Sequence, residues 1–252
     1  MELDLYNEFF ALEGRHWWFL GRRKLFMTLI RKYFGKRDDA RILDVGCGTG
    51  MNMDGLAEFG TVYGMDGSQL ALEFCRKRGF ERLTMGHMYE IPFSEKSFDL
   101  VTAFDVVEHE EDDRATLRGF RDLLREGGQI VLSVPAYMFM WGEHDDAAHH
   151  KRRYTVQELA SKVRESGFQV LKVTYFNFWL FPLAVAFRYM KRWLGALNKR
   201  LGRELPLKSD FIITSPPVIN PIFQAIFATE AELSTRVDFP YGASIVIVAQ
   251  KI

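Results

Sequence analysis

The sequence predicts an α/β fold built on a mostly parallel sheet with helices on both faces. Seven short β-rich runs alternate with segments of helical spacing, as βαβ units require: RILDVG (41–46), TVYGMD (61–66), ERLTMG (81–86), FDLVTAFD (98–105), GQIVLSVP (128–135), FQVLKVTYF (168–176) and ASIVIVAQ (243–250). Four of these runs are nearly all apolar, the composition of strands covered on both faces. A glycine-rich loop follows the first strand and opens a helix, which is where open α/β sheets take ligands.

Residues 1–35 read as a helical cover: a helix, the aromatic turn HWWF, and a second helix with Leu25, Phe26, Leu29, Ile30 and Tyr33 spaced for burial. The α/β domain takes 36–175 and 241–252. Within it MNMDGLAEF, SQLALEFCRKRG and RATLRGFRDLLREGG carry helical spacing, and the last two end on Gly79 and Gly127, suited to left-handed helix stops. YTVQELASKVRESGF begins with Thr155 three residues before Glu158, a capping-box signature, and sets Val156, Leu159 and Val163 on one face. The stretch EHDDAAHHKRRYT (143–155) is therefore a loop, running from the strand that ends near Pro135 to this helix. Residues 176–240 form a helical insertion before the last strand. In it Leu183, Phe187, Met190, Leu194, Leu197 and Leu201 share a face, backed by Arg188, Arg192, Lys199 and Arg203. A second helix, opened by Asn220 and Pro221, carries Ile222, Phe223, Ile226 and Phe227.

A chain of 252 residues, 48% hydrophobic, can bury a core as one domain with a large insertion. Lys+Arg and Asp+Glu balance at 33 each, so the chain has no broad positive field to attract nucleic acid. Two cysteines are too few for a disulfide framework and fit a reducing, cytoplasmic compartment. The start MELDLYNEFF lacks the basic-then-apolar order of an export signal. The longest apolar run, FNFWLFPLAVAF, contains Asn177 and Pro182 and falls short of the roughly 20 residues a spanning helix needs.

The chemistry gathers around LDVGCGTG (43–50). Gly46 and Gly48 let backbone approach a ligand closely, and Asp66, twenty residues after Gly46, ends the next strand where it can accept from ribose hydroxyls. The glycines run G-x-G-x-G; the dinucleotide pattern G-x-G-x-x-G needs a glycine where this chain has Met51, which weakens the hydride-transfer reading.

This loop strongly resembles the first motif of the class I S-adenosylmethionine-dependent methyltransferases. VYGMDGS resembles the second, giving Asp66 the ribose role with Gly67 and Ser68 at its flank. GHMYEIPF resembles the adenine-binding segment, with His87 where the family commonly has aspartate and Met88 beside it. FDLVTAFDVVEH and LLREGGQIVLSVP are similar to strand motifs of the small-molecule branch that includes the ubiquinone-pathway methyltransferases. The resemblance runs from Arg41 to Thr174 and over the last strand. It implies a Rossmann-like seven-stranded sheet and S-adenosylmethionine as cofactor, held by Asp44, Gly46, Cys47, Gly48, Asp66, Gly67, Ser68, His87, Met88, Phe104 and Asp105. HWWFLGRR then has two readings. It is aromatic packing over a sheet edge, or a lid in which Trp17, Trp18 and Phe19 exclude water and Arg22 reaches the cofactor carboxylate.

Methyl transfer asks the protein for positioning, water exclusion and, for some acceptors, proton removal. No NPPY-like segment follows the fourth strand, which favours an oxygen or carbon acceptor over amide or base nitrogen. The expected acceptor is a small molecule, apolar or lipid-like. Asp105, Glu108 and His109 form D-x-x-E-H, similar to the E-x-x-E-H of the ubiquinone-pathway O-methyltransferases. There the resemblance implies a divalent cation, against the plainer reading of pocket lining, and no metal is assigned from sequence. EHDDAAHHKRRYT resembles an H-D…H-x-R-R-Y-T pattern of small-molecule methyltransferases. It points to His144 with Asp145 in support, or else His150, as general base, unless these side chains only pin the loop. A phosphate clamp by Lys151, Arg152 and Arg153 competes with their pairing to nearby acids. The insertion lies at a membrane interface, or packs on its own domain or on a second subunit of a homodimer; in each case it shapes the acceptor pocket. The rival function is a non-catalytic cofactor binder acting as a membrane-surface sensor or scaffold.

Overall fold

A computed structural model describes residues 3–88, 90–200 and 219–252. Strands β1 (Arg41–Val45), β2 (Thr61–Asp66), β3 (Leu83–Met85), β4 (Phe98–Phe104), β5 (Leu124–Pro135), β6 (Phe168–Phe176) and β7 (Ser244–Lys251) form one sheet in the order β3-β2-β1-β4-β5-β7-β6. Each expected run is a strand. Every pairing is parallel except those of β7, which runs antiparallel to both β5 and β6. From β1 the order runs one way to β2 and β3 and the other way to β4 and β5, so the loops leaving β1 and β4 diverge and open a crevice between them.

The helices among the described residues are α1 (Leu3–Leu12), α2 (Trp17–Tyr33), α3 (Met51–Leu56), α4 (Gln69–Lys77), α5 (Asp113–Leu123), α6 (Glu143–Ala148), α7 (Val156–Glu165), α8 (Phe181–Arg200) and α9 (Ile219–Leu233). Alternation along the strands builds two cores. Leu43, Val101, Leu132 and Ile247 face Leu117 and Phe120 of α5 and Leu159 and Val163 of α7. Ile42, Leu100, Val131 and Val246 face Phe26, Leu29 and Ile30 of α2, Met53 and Leu72, and Phe227 of α9. Burying both faces of the sheet in this way is why the central strands read as continuous apolar runs.

Four details differ from the sequence expectation. HWWF is not a turn: His16 caps α2, its Nδ1 accepting from the Trp18 amide at 3.2 Å, and the tryptophans form the first helical turn. The helix predicted over 114–128 stops at Leu123, where Leu124 turns extended and starts β5; Gly127 has φ +72 within that strand and is not a helix stop. The 143–155 stretch contains the short helix α6, whose first turn carries three acidic residues, the sign that the helix dipole favours there. The second insertion helix, α9, packs on the chain's own domain. A Cβ on Gly21 would sit 2.3 Å from the Phe227 ring, and Asn220 Oδ1 accepts from the Trp17 amide at 2.8 Å.

Of the expected capping box of α7 one half forms: Thr155 Oγ1 accepts from the Glu158 amide at 3.3 Å, while the Glu158 carboxylate pairs with Lys162 at 2.9 Å. In α8, Leu183, Met190 and Leu194 are exposed, together with Trp193. Arg188 and Arg192 do not stand free on its other face. Arg192 donates to the carbonyls of Phe139 and Trp141 at 2.9 and 2.7 Å, and Arg188 lies 3.9 Å from Asp145. Leu201 and Arg203, and the side chains of Leu197 and Lys199, lie outside the described residues. Among those described, no helix is long and apolar enough to cross a membrane.

Candidate active site

The crevice holds a cavity of about 500 Å³ between the β1 loop, the ends of β2 and β4, and the N-terminal cover. Its floor is the glycine loop. Gly46, Gly48 and Gly50 have φ of +65, +55 and +84, conformations that cost L side chains energy. Nothing lies within 4 Å of a Cβ built on Gly48, so its backbone faces open space, whereas a Cβ on Gly46 would meet Val106 at 2.5 Å. The loop keeps its backbone bare towards the cavity and close-packed behind it.

Asp66 stands at the end of β2 and is 7% exposed. One oxygen accepts from the Gly48 amide and the other from the Ser68 amide, both at 2.9 Å, which fixes the carboxylate plane at the cavity edge. Burial raises its pKa, against the lowering pull of those two amides. Cys47, Gly67, Ser68, His87, Met88, Phe104 and Asp105 also line the cavity, as expected. Asp44 does not reach the wall. It is buried in β1, accepts from the Thr102 hydroxyl at 2.7 Å, and is raised by burial to about 7, so it supports the loop from beneath.

The cover closes the other side. Arg22 of α2 lies over the Trp18 and Phe26 rings and pairs with Asp105 at 2.5 Å, while Asp105 also accepts from the Ser133 hydroxyl at 2.9 Å. Asp105 itself has φ +57, a strained conformation held by those two partners at the mouth of β4. Sequence reasoning missed the part played by α1. Tyr6, Phe9 and Glu13 line the cavity, and Glu13 clasps Thr49 of the loop and Arg78 behind α4. Glu13 lies in the turn after α1, and one acid there carries no sequence signal for such a role.

The predicted base residues gather beside the cavity and not on its wall. His150 Nδ1 lies 2.9 Å from Asp145, which also takes Arg153 Nε and NH2 at 2.8 and 2.9 Å and the Gly142 amide at 2.8 Å. Burial alone would raise Asp145, yet His150 and Arg153 hold it well below the usual carboxylate range. The His144 ring is 6.0 Å from that of His150, edge to face. Besides His87, the imidazole that lines the cavity is His109, edge-on to His150 at 4.8 Å. Burial, reinforced by His150, lowers His109 to about 4, so it is neutral at neutral pH. Next to it Glu108 is fully buried, and burial pushes its carboxyl well up. The basic triplet is no clamp, because each member is paired: Lys151 with Glu111 at 2.9 Å, Arg152 with Asp113 at 3.2 Å, and Arg153 with Asp145.

Comparison with known proteins places this geometry. Residues 43–132 match the family model described as a methyltransferase domain. The ubiquinone biosynthesis O-methyltransferase of Xanthomonas oryzae is 34% identical over 147 residues, covering 53% of this chain and 60% of that one. That of Bordetella avium is 29% identical over 112 residues, covering 42% and 46%, so the chain spans about half the length of these relatives. Among solved structures, an S-adenosylmethionine-dependent methyltransferase from Mesorhizobium loti shares the fold at TM-score 0.56 and 19% identity, covering 88% of this chain and 96% of that one. The glycine loop, the acid that ends β2, the strand order and these matches agree: residues 43–132 match a methyltransferase domain, carried on the fold of the S-adenosylmethionine-dependent methyltransferases.

Proposed function

We propose that this chain transfers the methyl group of S-adenosylmethionine to an oxygen or carbon of a small, apolar or lipid-like acceptor. The observation that carries the reading is the single cavity joining the glycine loop and Asp66 to the His109 wall, with Phe19, Phe26 and Phe104 between them. The sulfonium supplies the activation. With the cofactor bound, the acceptor's electron pair would take the methyl carbon as the carbon–sulfur bond breaks, leaving S-adenosylhomocysteine, and Phe19, Phe26 and Phe104 would exclude water there. A hydroxyl acceptor must also lose its proton. The imidazole cluster supports that step, with His109 at the wall and His150, oriented by Asp145, directly behind it.

The lipid-like class is supported by the exposed apolar face of α8, where Trp193 is 65% and Leu183 56% exposed, beside exposed Phe139. The test is incubation with methyl-labelled cofactor and cell extract separated into lipid and aqueous phases. Label in a lipid-phase product, stable as an ether or carbon–methyl group, is the expected result. Label confined to aqueous amines would refute the acceptor class, and no label in any fraction would favour the non-catalytic sensor.

A further inference from the structure

Tyr6 of α1 is a polar group in the cavity for which methyl transfer has no use. Its hydroxyl is hydrogen-bonded to both Asp66 and Ser68, the acid that ends β2 and the residue that caps α4. Burial, reinforced by Asp66, raises the phenol to about 12, so at neutral pH it keeps its proton and donates it to the carboxylate.

The helix is built to make this contact. Tyr6, Phe9, Phe10 and Glu13 recur at three- and four-residue spacing, which sets them along one side, and the Glu13 amide still donates to the Phe9 carbonyl at 2.8 Å. Tyr6, Phe9 and Glu13 line the cavity. Phe10 stacks on Phe74 of α4 at 4.4 Å, beneath the Arg78 guanidinium, and Glu13 clasps Thr49 and Arg78. The turn after α1 is therefore anchored to the glycine loop and to α4, while the first turn of the helix carries Tyr6 to Asp66.

The Asp66 carboxylate is oversubscribed. A carboxylate offers about four lone-pair positions. The Gly48 and Ser68 amides take one on each oxygen at 2.9 Å, and Tyr6 takes a third. A ribose that presents both hydroxyls needs two. The phenol and the ribose cannot both be served in full.

We propose that Tyr6 is a built-in competitor for the ribose position: its hydroxyl holds the Asp66 carboxylate until the cofactor displaces it, turning the Tyr6 end of α1 away about the Glu13 anchor. The proposal rests on Asp66 as the ribose acceptor. Its effect is opposite in sign to that of an ordinary binding residue. The phenol keeps a buried carboxylate partnered, and apparent affinity falls with the fraction of chains in which that carboxylate is free.

Calorimetry with S-adenosylhomocysteine on the full chain reads this competition. Tyr6→Phe removes the hydroxyl, keeps the ring, and should bind about 10-fold more tightly than the wild type. In an Asp66→Ala background the same change should gain about 2-fold at most, because the contested acceptor is gone. Hydrogen exchange gives a second reading on the unaltered chain: the ligand should raise exchange over residues 3–8 while it protects the glycine loop. Unchanged or weaker binding in Tyr6→Phe, an equal gain in the Asp66→Ala background, or added protection of residues 3–8 would each overturn the proposal. If neither wild type nor Tyr6→Phe binds S-adenosylhomocysteine, the cofactor assignment falls with it, whereas binding without the gain removes the competition alone.

Discussion

Replacing Asp66 tests the cofactor geometry at its narrowest point. Asp66 is 7% exposed, and its carboxylate accepts two backbone amides at 2.9 Å and the Tyr6 hydroxyl, so ribose hydroxyls would share its remaining acceptor capacity and take the place of Tyr6. Asp66→Ala removes this shared charged acceptor. A hydrogen bond to a charged group contributes about 1.5–3 kcal/mol, which lowers cofactor affinity roughly 10- to 150-fold. The Gly48 and Ser68 amides also lose their acceptor, though water entering the cavity replaces part of it, so the stability cost should be about 1 kcal/mol. Asp66→Asn keeps one carbonyl oxygen and should fall between. Because burial raises the Asp66 pKa, acidification should weaken cofactor binding at a higher pH than an ordinary aspartate would give. Calorimetry with S-adenosylhomocysteine, on variants whose circular dichroism is unchanged, measures the loss. Unaltered affinity in a folded Asp66→Ala would refute the assignment of Asp66 to the ribose.

Three further outcomes follow from single positions. Gly46→Ala should destabilise the loop twice over, by about 1–2 kcal/mol for the left-handed φ and about 1–3 for the clash with Val106. Val106→Ala in the same chain should recover only the second part in a denaturation midpoint. Glu230, 1% exposed, is raised by burial from 4.5 to about 7 despite the Phe178 and Trp179 amides. It keeps a proton in the folded chain that the unfolded chain has lost, so its contribution is full below about pH 4.5 and lost as pH rises through about 7. Glu230→Gln should therefore gain on the wild type by about 3 kcal/mol between pH 4.5 and 8; a constant difference across that range would refute the raised pKa. Finally, Trp193→Glu with Leu194→Glu should abolish co-sedimentation with lipid vesicles. Vesicle binding untouched by this change would remove α8 as the contact surface.

Most of the fold was legible because burial on both faces writes itself into strands: all seven runs and the alternation between them follow from where apolar side chains must go. The cofactor half of the site was legible for a related reason. Gly46, Gly48 and Asp66 stand out as a left-handed glycine loop and an acid that ends the next strand, and they are near in the chain or one strand apart. Leu124 reads as helix from its pattern and becomes strand because it pairs with Phe98, a tertiary fact. The acceptor side needs contacts between distant segments. His109 reaches His150 only because the loop after β5 folds over the loop after β4, where the Lys151 amide donates to the Glu108 carbonyl at 2.9 Å. The basic face of α8 read as free because the partners of Arg188 and Arg192 lie 43 to 53 residues earlier. Periodicity cannot see such a contact.

The measurement that most directly tests the central claim is product balance in a single reaction. The protein is mixed with methyl-labelled S-adenosylmethionine and the fractionated extract, and S-adenosylhomocysteine and labelled organic product are quantified together. Equal amounts of the two, both falling in Asp66→Ala at limiting cofactor, are predicted. Tight cofactor binding with neither product formed from any fraction would contradict the enzyme reading and leave a protein that only senses the cofactor.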